Sequence, residues 1–294
     1  MINLFRAEWR KINGHFWVAG TLIWIFPLVA IGVIVFEVFA VLLSEQFRLA
    51  MLNFPDRMPW TGHVISAWRL INSDLGRGVI LIFTAFMFAG EYQWGTWKNI
   101  IPRTRRVPLI AGKFLTLGVF VVVAFTSMTL VLAFGTMLMA LAAGGQIYPA
   151  LTSETLKDFM PRLALQVLQT FTMTMISASY AALAGMLTRS ILGGIVGGIL
   201  LMLAEQTTLL VIALVSGIFP ALERLYVLYL LTPSYNIANI NAWLTDKTAY
   251  VPGPTLARLT EPNSLEGSLA LIALWVIGLV GLVIFLFRRQ DITS

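Results

Sequence analysis

Chemistry needs titratable or polar side chains held at set spacings, and in this 294-residue chain only 12% of residues are charged. Three groups stand out. Glu91 is followed by Gly95, Thr96, Trp97, Lys98, Asn99, Ile100, Ile101, Pro102, Arg103 and Arg106, with Lys113 shortly beyond, in a polar and basic loop between apolar runs. Gln166, Thr170, Thr174 and Ser177, with Gln169 alongside, fall near one helical face of an apolar run. Glu205 and Gln206, followed by Thr207 and Thr208, interrupt another. None of these groups is a catalytic constellation: the sequence has no HExxH, no GxSxG in an apolar run and no paired intramembrane aspartates. Without cysteine there are no disulfides, thiol nucleophiles, iron–sulfur clusters or thiolate zinc sites. Two histidines, His15 and His63, are too few for paired haem ligation or a His-rich metal site.

The elements that must carry these residues are membrane helices. The hydrophobic fraction is 58% and the mean hydropathy +0.84, whereas soluble domains run at roughly 45–50% apolar and about 25% charged. A crossing takes about 20 apolar residues, and the pattern predicts an all-α integral membrane protein, a single membrane domain over 1–294. Its spans are expected near 16–43, 67–91, 109–143, 163–187, 191–216 and 268–287. The second is apolar only from Val79 to Gly90, between Arg77 and Glu91, so it must draw its outer turns from Ala67 to Gly76. The first run extends from Phe16 to Leu43, too long for the h-region of a cleaved signal peptide.

With six spans both termini share one side, and lysine and arginine choose it. A cytoplasmic N-terminus places Arg6, Arg10, Lys11, Lys98, Arg103, Arg105, Arg106, Lys113, Arg189, Arg288 and Arg289 inside, in short loops and ends, while the other basic residues spread over longer outer connections. The formal charge of +6 is thus an expression of topology, with no nucleic-acid partner implied. Ile2, Phe5, Trp9, Ile12 and Phe16 recur at intervals of three and four, which predicts an amphipathic interfacial helix over 1–14, or else an extension of the first span. The outer connection 217–267 carries five prolines, Pro220, Pro233, Pro252, Pro254 and Pro262, and should hold short interfacial helices instead of a folded ectodomain. Glu37 lies far enough along the first span to reach the outer interface.

Within the inner loop, 94–107, Gly95 permits a tight turn. Thr96 is placed to cap a short helix in which Trp97, Ile100 and Ile101 alternate with Lys98 and Asn99, and Pro102 ends that helix. Such a helix, followed by Arg103, Arg105 and Arg106, suits docking into a groove on a cytoplasmic partner or contact with anionic headgroups. Gly193, Gly194, Gly197 and Gly198 form overlapping GxxxG patterns that let another helix approach, from this chain or from a second copy. The polar face around Gln166 either lines a substrate path or bonds helices together. Glu205 sits either in an outer gate or in a re-entrant turn.

The stretch FAGEYQWGTWKNIIPRTRRVPLIAGK, from Phe88 to Lys113, resembles the signature loop of ABC-2-type transporter permeases. In that family a Glu ends the second span before a Gly-Thr turn, a coupling helix, basic residues and a Lys that opens the third span. Glu91, Gly95, Thr96, Lys98, Asn99, Arg106 and Lys113 stand at the matching positions. The resemblance extends more loosely over the whole chain, through the N-terminal helix, six spans, the long connection before the sixth and the basic end at Arg288, Arg289 and Asp291. It implies a permease subunit, not itself an enzyme, forming a translocation path for export. ATP and Mg would be held by a separate ABC-type ATPase that seats on Gly95 to Pro102, and a second permease copy would complete a dimer in the cell membrane of a prokaryote. Consistent with this, the sequence has no GxxxxGK[ST] phosphate cradle. The competing readings are a noncatalytic membrane scaffold and a secondary transporter; the latter would place central charges or internal repeats that the sequence does not display.

Overall fold

The computed structural model describes residues 2–14, 23–53, 59–259 and 261–291, without the side chains of Ile2, Asn13, Asn99 and Arg103. His15 and the start of the expected first span at Phe16 lie outside the described residues. In chain order come α1 (Ile2–Gly14), α2 (Ile25–Leu43), α3 (Glu45–Asn53), α4 (Trp60–Asn72), α5 (Asp74–Gln93) and α6 (Trp97–Ile100), then a 3-10 turn (Ile101–Arg103). The remainder is α7 (Arg106–Ala142), α8 (Ser153–Thr188), α9 (Ile191–Ile218), a 3-10 segment (Pro220–Leu225), α10 (Tyr226–Tyr229), α11 (Pro233–Thr245), α12 (Pro254–Leu259) and α13 (Leu265–Arg289). No strand occurs among the described residues. Six helices, α2, α5, α7, α8, α9 and α13, are long and apolar enough to cross a bilayer. Large apolar side chains such as Phe36 on α2 and Leu274 and Ile277 on α13 are exposed along them, the distribution expected where hydrocarbon is the solvent.

The chain divides into two compact units. The first comprises residues 1–87 and 107–174. Here α1 packs on the start of α7: Trp9 stacks on Phe120 with ring centroids 4.2 Å apart, and Lys113 Nζ donates to Glu8 Oε2 at 3.0 Å. At Trp9 and Ile12 the periodic face of α1 therefore meets protein, and Glu8 beside them is a buried carboxylate that the apolar pattern did not mark. Ala67 to Gly76 does not extend the second span as expected. Instead α4 ends at Asn72, Ser73 adopts an extended backbone, and a new helix begins at Asp74. The Ser73 hydroxyl donates to the Leu70 carbonyl at 2.5 Å and accepts from the Gly76 amide at 3.2 Å, so one side chain serves both helix ends. Gly76 allows the close approach: a Cβ there would stand 2.2 Å from the Leu70 carbonyl oxygen.

A cavity of about 490 Å³ in this unit is lined by residues that include Met51, Leu52, Trp60, Met137 and Ala140. Among the described residues its lining has no carboxylate, imidazole or amine to do chemistry.

The second unit comprises residues 88–106 and 175–294. Its glycines set helix spacing. A Cβ on Gly197 would meet Ala184 Cβ at 2.7 Å, and one on Gly193 would meet the Thr188 hydroxyl at 2.2 Å. The GxxxG seam of α9 thus receives α8 of the same chain. The connection 217–267 forms short helices, as its prolines suggested: Pro220, Pro233 and Pro254 each begin one. Asparagines fasten it to the start of α13. Asn239 Nδ2 donates to the Asn263 carbonyl and to Ser268 Oγ, each at 2.8 Å, and its Oδ1 accepts from the Tyr250 amide at 2.7 Å. Asn236 donates to the Leu230 and Thr232 carbonyls, and Asn263 donates to Asn236. Burial pushes the Tyr229 and Tyr235 phenols up from their ordinary range, so both stay neutral in this knot at physiological pH.

Candidate functional site

The loop after α5 is built on one glycine. Gly95 has φ +64°, its amide donates to the Tyr92 carbonyl at 3.1 Å, and the Thr96 amide donates to the Glu91 carbonyl at 3.0 Å. These paired bonds are a Schellman turn, in which a left-handed residue lets the last helical carbonyls find donors. The tight turn expected at Gly95 is therefore present. Thr96, expected to cap α6, does not: its side chain makes no cap bond there. Its hydroxyl reaches back to the Glu91 carboxylate, because the Schellman turn folds residue 96 onto the end of α5. Glu91 is itself buried, at 1% exposure, and this bond ties it to the turn.

Beyond the turn α6 has four residues, and a 3-10 turn containing Pro102 continues it before the chain extends at Thr104. The expected alternation is only partly a surface feature. Trp97 is buried, 4.7 Å from the Phe287 ring at the end of α13 and 5.6 Å from the Tyr92 ring. Ile100 and Ile101 are half-buried, while Lys98, Pro102 and Arg105 are exposed. The side chains of Asn99 and Arg103 lie outside the described residues. A rigid apolar root thus carries a short, basic, partly apolar knob.

Arg106, a sequence candidate, and Tyr92 and Gln290, which the sequence did not single out, hold this root to the end of α13. Arg106 Nη1 donates to the carbonyls of Phe287, Arg288 and Gln290 at 3.1, 2.8 and 2.8 Å. Tyr92 donates to the Gln290 side chain, Gln290 Nε2 donates to the Met186 carbonyl at 2.9 Å, and Arg189 Nη2 donates to the Asp291 carbonyl at 3.2 Å. Basic residues at both chain positions were visible in sequence, but a pairing 184 residues apart leaves no periodic signal. A cavity of about 100 Å³ beside the loop is lined by Glu91, Tyr92, Lys98, Arg189 and Asp291 among others. It is small against the roughly 300–1,000 Å³ of ligand pockets.

The other sequence candidates lie elsewhere. Lys113 belongs to the first unit, fully buried, where it bonds Glu8 and also the Met87 carbonyl at 2.9 Å. Gln166 and Thr170 bond to α4: Arg69 Nε donates to Gln166 Oε1 at 3.4 Å, Asn72 Nδ2 donates to Thr170 Oγ1 at 3.4 Å, and Thr170 donates to the Trp68 carbonyl at 3.0 Å. Thr174 returns its hydroxyl to the Thr170 carbonyl, and Ser177 is buried in the second unit. The interhelical-bond reading of this stripe therefore holds at Gln166 and Thr170. Glu205 is not in a re-entrant turn, because α9 runs unbroken from Ile191 to Ile218. Its buried carboxylate accepts from Tyr180 at 3.2 Å and from Ser234 at 2.5 Å, joining α8, α9 and α11. Gln206, one residue on, is half-buried.

Compared with known proteins, the sequence matches no family model, and no curated protein or solved structure is significantly similar to it.

Proposed function

We propose that this chain is the membrane subunit of an ATP-driven exporter of the ABC-2 permease kind, and that its Glu91–Arg106 loop receives the movement of a separate ATPase. The observation that carries the reading is the construction of that loop. A docking lever needs an exposed tip and a stiff root: the tip offers Lys98, Pro102 and Arg105, and the root is fixed by the Gly95 turn, the Thr96 bond to Glu91 and the burial of Trp97. The resemblance from Phe88 to Lys113 supplies the family, and the six membrane-length helices supply the setting. On this reading both termini are cytoplasmic, ATP and Mg reside on the partner, and a second permease copy completes the translocation path.

Purification of the tagged chain from its native membranes tests the proposal. A vanadate-sensitive ATPase subunit is expected to accompany it, and the double charge reversal Lys98→Glu with Arg105→Glu is expected to reduce the recovered ATPase at least tenfold. Because the chain has no cysteine, Lys98→Cys gives a single labelling site. Modification of that site by a membrane-impermeant maleimide from outside intact cells would overturn the reading.

A further inference from the structure

We propose that the C-terminal turn of α13, Phe287 to Asp291, forms one mechanical body with the loop, and that Arg106 is the clasp which delivers loop movement into the sixth span. The source of that movement rests on the permease reading; the fastening rests on contacts within the second unit.

The loop is covalently continuous with α5 and α7, so a push on it would be expected to enter those helices first. Its non-covalent ties run back to α5, through Thr96 on Glu91 and Trp97 on Tyr92, and also to the end of α13. The last carbonyls of any α-helix have no partner inside the helix, and the C-terminus carries the negative end of the helix dipole. Arg106 answers both conditions at once, with one nitrogen bonded to the carbonyls of Phe287, Arg288 and Gln290 and its guanidinium carbon 6.0 Å from the Phe287 ring. Earlier in the loop, Trp97 is buried against that same Phe287 ring. Phe287 is thereby held by the loop twice, by ring packing and by its own carbonyl.

Past the helix end the chain is held as a strap. Gln290 accepts from Tyr92, the residue next to Glu91, and donates to the carbonyl of Met186 in the last turn of α8. Arg189, which follows α8 with φ +53°, holds the Asp291 carbonyl. A non-glycine residue keeps a left-handed backbone only where its surroundings impose it, and the bond to Asp291 is one such constraint. The loop, the end of α13 and the end of α8 therefore meet through Gln290. The opposite end of α13 is anchored by Ser268 to Asn239, so a displacement entering at Phe287 acts on a helix whose far end is pinned. A tilt of the sixth span is the motion this arrangement produces.

The cysteine-free chain makes the test direct. Lys98→Cys and Arg288→Cys, both exposed positions, carry nitroxide labels, and their distance distribution is read by pulsed electron resonance. In the chain alone in nanodiscs, a narrow single distribution is expected, widened at least twofold by Arg106→Ala, less by Gln290→Ala and least by Arg106→Lys. In the native assembly trapped with ATP and vanadate, the pair is expected to keep its distance with Arg106 present and to separate in Arg106→Ala. Separation on trapping with Arg106 present, or a distribution that Arg106→Ala and Gln290→Ala leave unchanged, would overturn the proposal. Failure of the permease reading is a separate result: no ATPase subunit accompanies the chain, while the nanodisc distances still report the fastening.

Discussion

The two ends of α13 are fastened by different chemistry. At its start, neutral amides and hydroxyls bond one another in a buried knot, with Asn236, Asn239 and Ser268 fully removed from solvent. At its finish a cation holds carbonyls near the surface, and Arg288 and Arg289 are exposed beside it. A buried neutral network has no water waiting to replace a lost partner, so each bond is expensive to break. A half-exposed guanidinium can trade protein carbonyls for water at lower cost and feels dissolved salt. The difference separates a fixed anchor from an attachment that can be loaded and released. The Glu8–Lys113 pair of the first unit provides a third case, ionic like one end and buried like the other.

That third case is where the largest effect is expected. Lys113→Met leaves Glu8 buried without its cation and should cost about 3–5 kcal/mol, read as a fall in thermal midpoint in nanodiscs. Adding Glu8→Gln should recover most of the loss; failure to recover would show that packing, not charge, sets the strength of the α1 attachment. Next comes Asn239→Leu, which strands the Tyr250 amide and leaves the Asn263 carbonyl only its Trp243 donor, and should cost about 2–3 kcal/mol, independent of ionic strength. Arg106→Ala follows at about 1–2 kcal/mol, and here raising salt should shrink the difference from wild type. If Asn239→Leu and Arg106→Ala respond alike to salt, the proposed contrast between the two ends fails. The smallest effect is expected for Thr96→Val, about 1 kcal/mol, measurable as faster hydrogen exchange confined to the Gly95 turn.

Much of the architecture can be read from composition. Six apolar stretches become six membrane-length helices, the prolines of 217–267 begin short helices, and Gly95 makes the turn its freedom permits. What hydropathy misses is what depends on a distant partner. Ser73 breaks the segment between α4 and α5 through bonds to Leu70 and Gly76 that no window average registers. Nothing in the sequence around Glu8 marks it as buried, because its lysine partner is 105 residues away. Thr96 has the composition of a cap, yet the turn before it aims the hydroxyl backwards at Glu91. Glu205 has the look of a helix breaker, and it is tolerated in mid-helix because Tyr180 and Ser234 supply donors. In candidate-site terms the loop was legible and its attachments were not. Glu37 on α2 is half-buried, with one carboxylate oxygen enclosed and without a hydrogen-bond partner among the described residues, an environment hydropathy does not register.

The discontinuity at Ser73 also governs how α4 and the start of α5 can respond to stress. A continuous helix resists bending through its ladder of backbone bonds, but here two rods abut, with a hydroxyl for a pin and a missing side chain at Gly76 for clearance. Force applied along one rod has to cross this joint, not an unbroken ladder of backbone bonds, to reach the other. Enlarging residue 76 even to alanine would wedge the joint open against the carbonyl of Leu70.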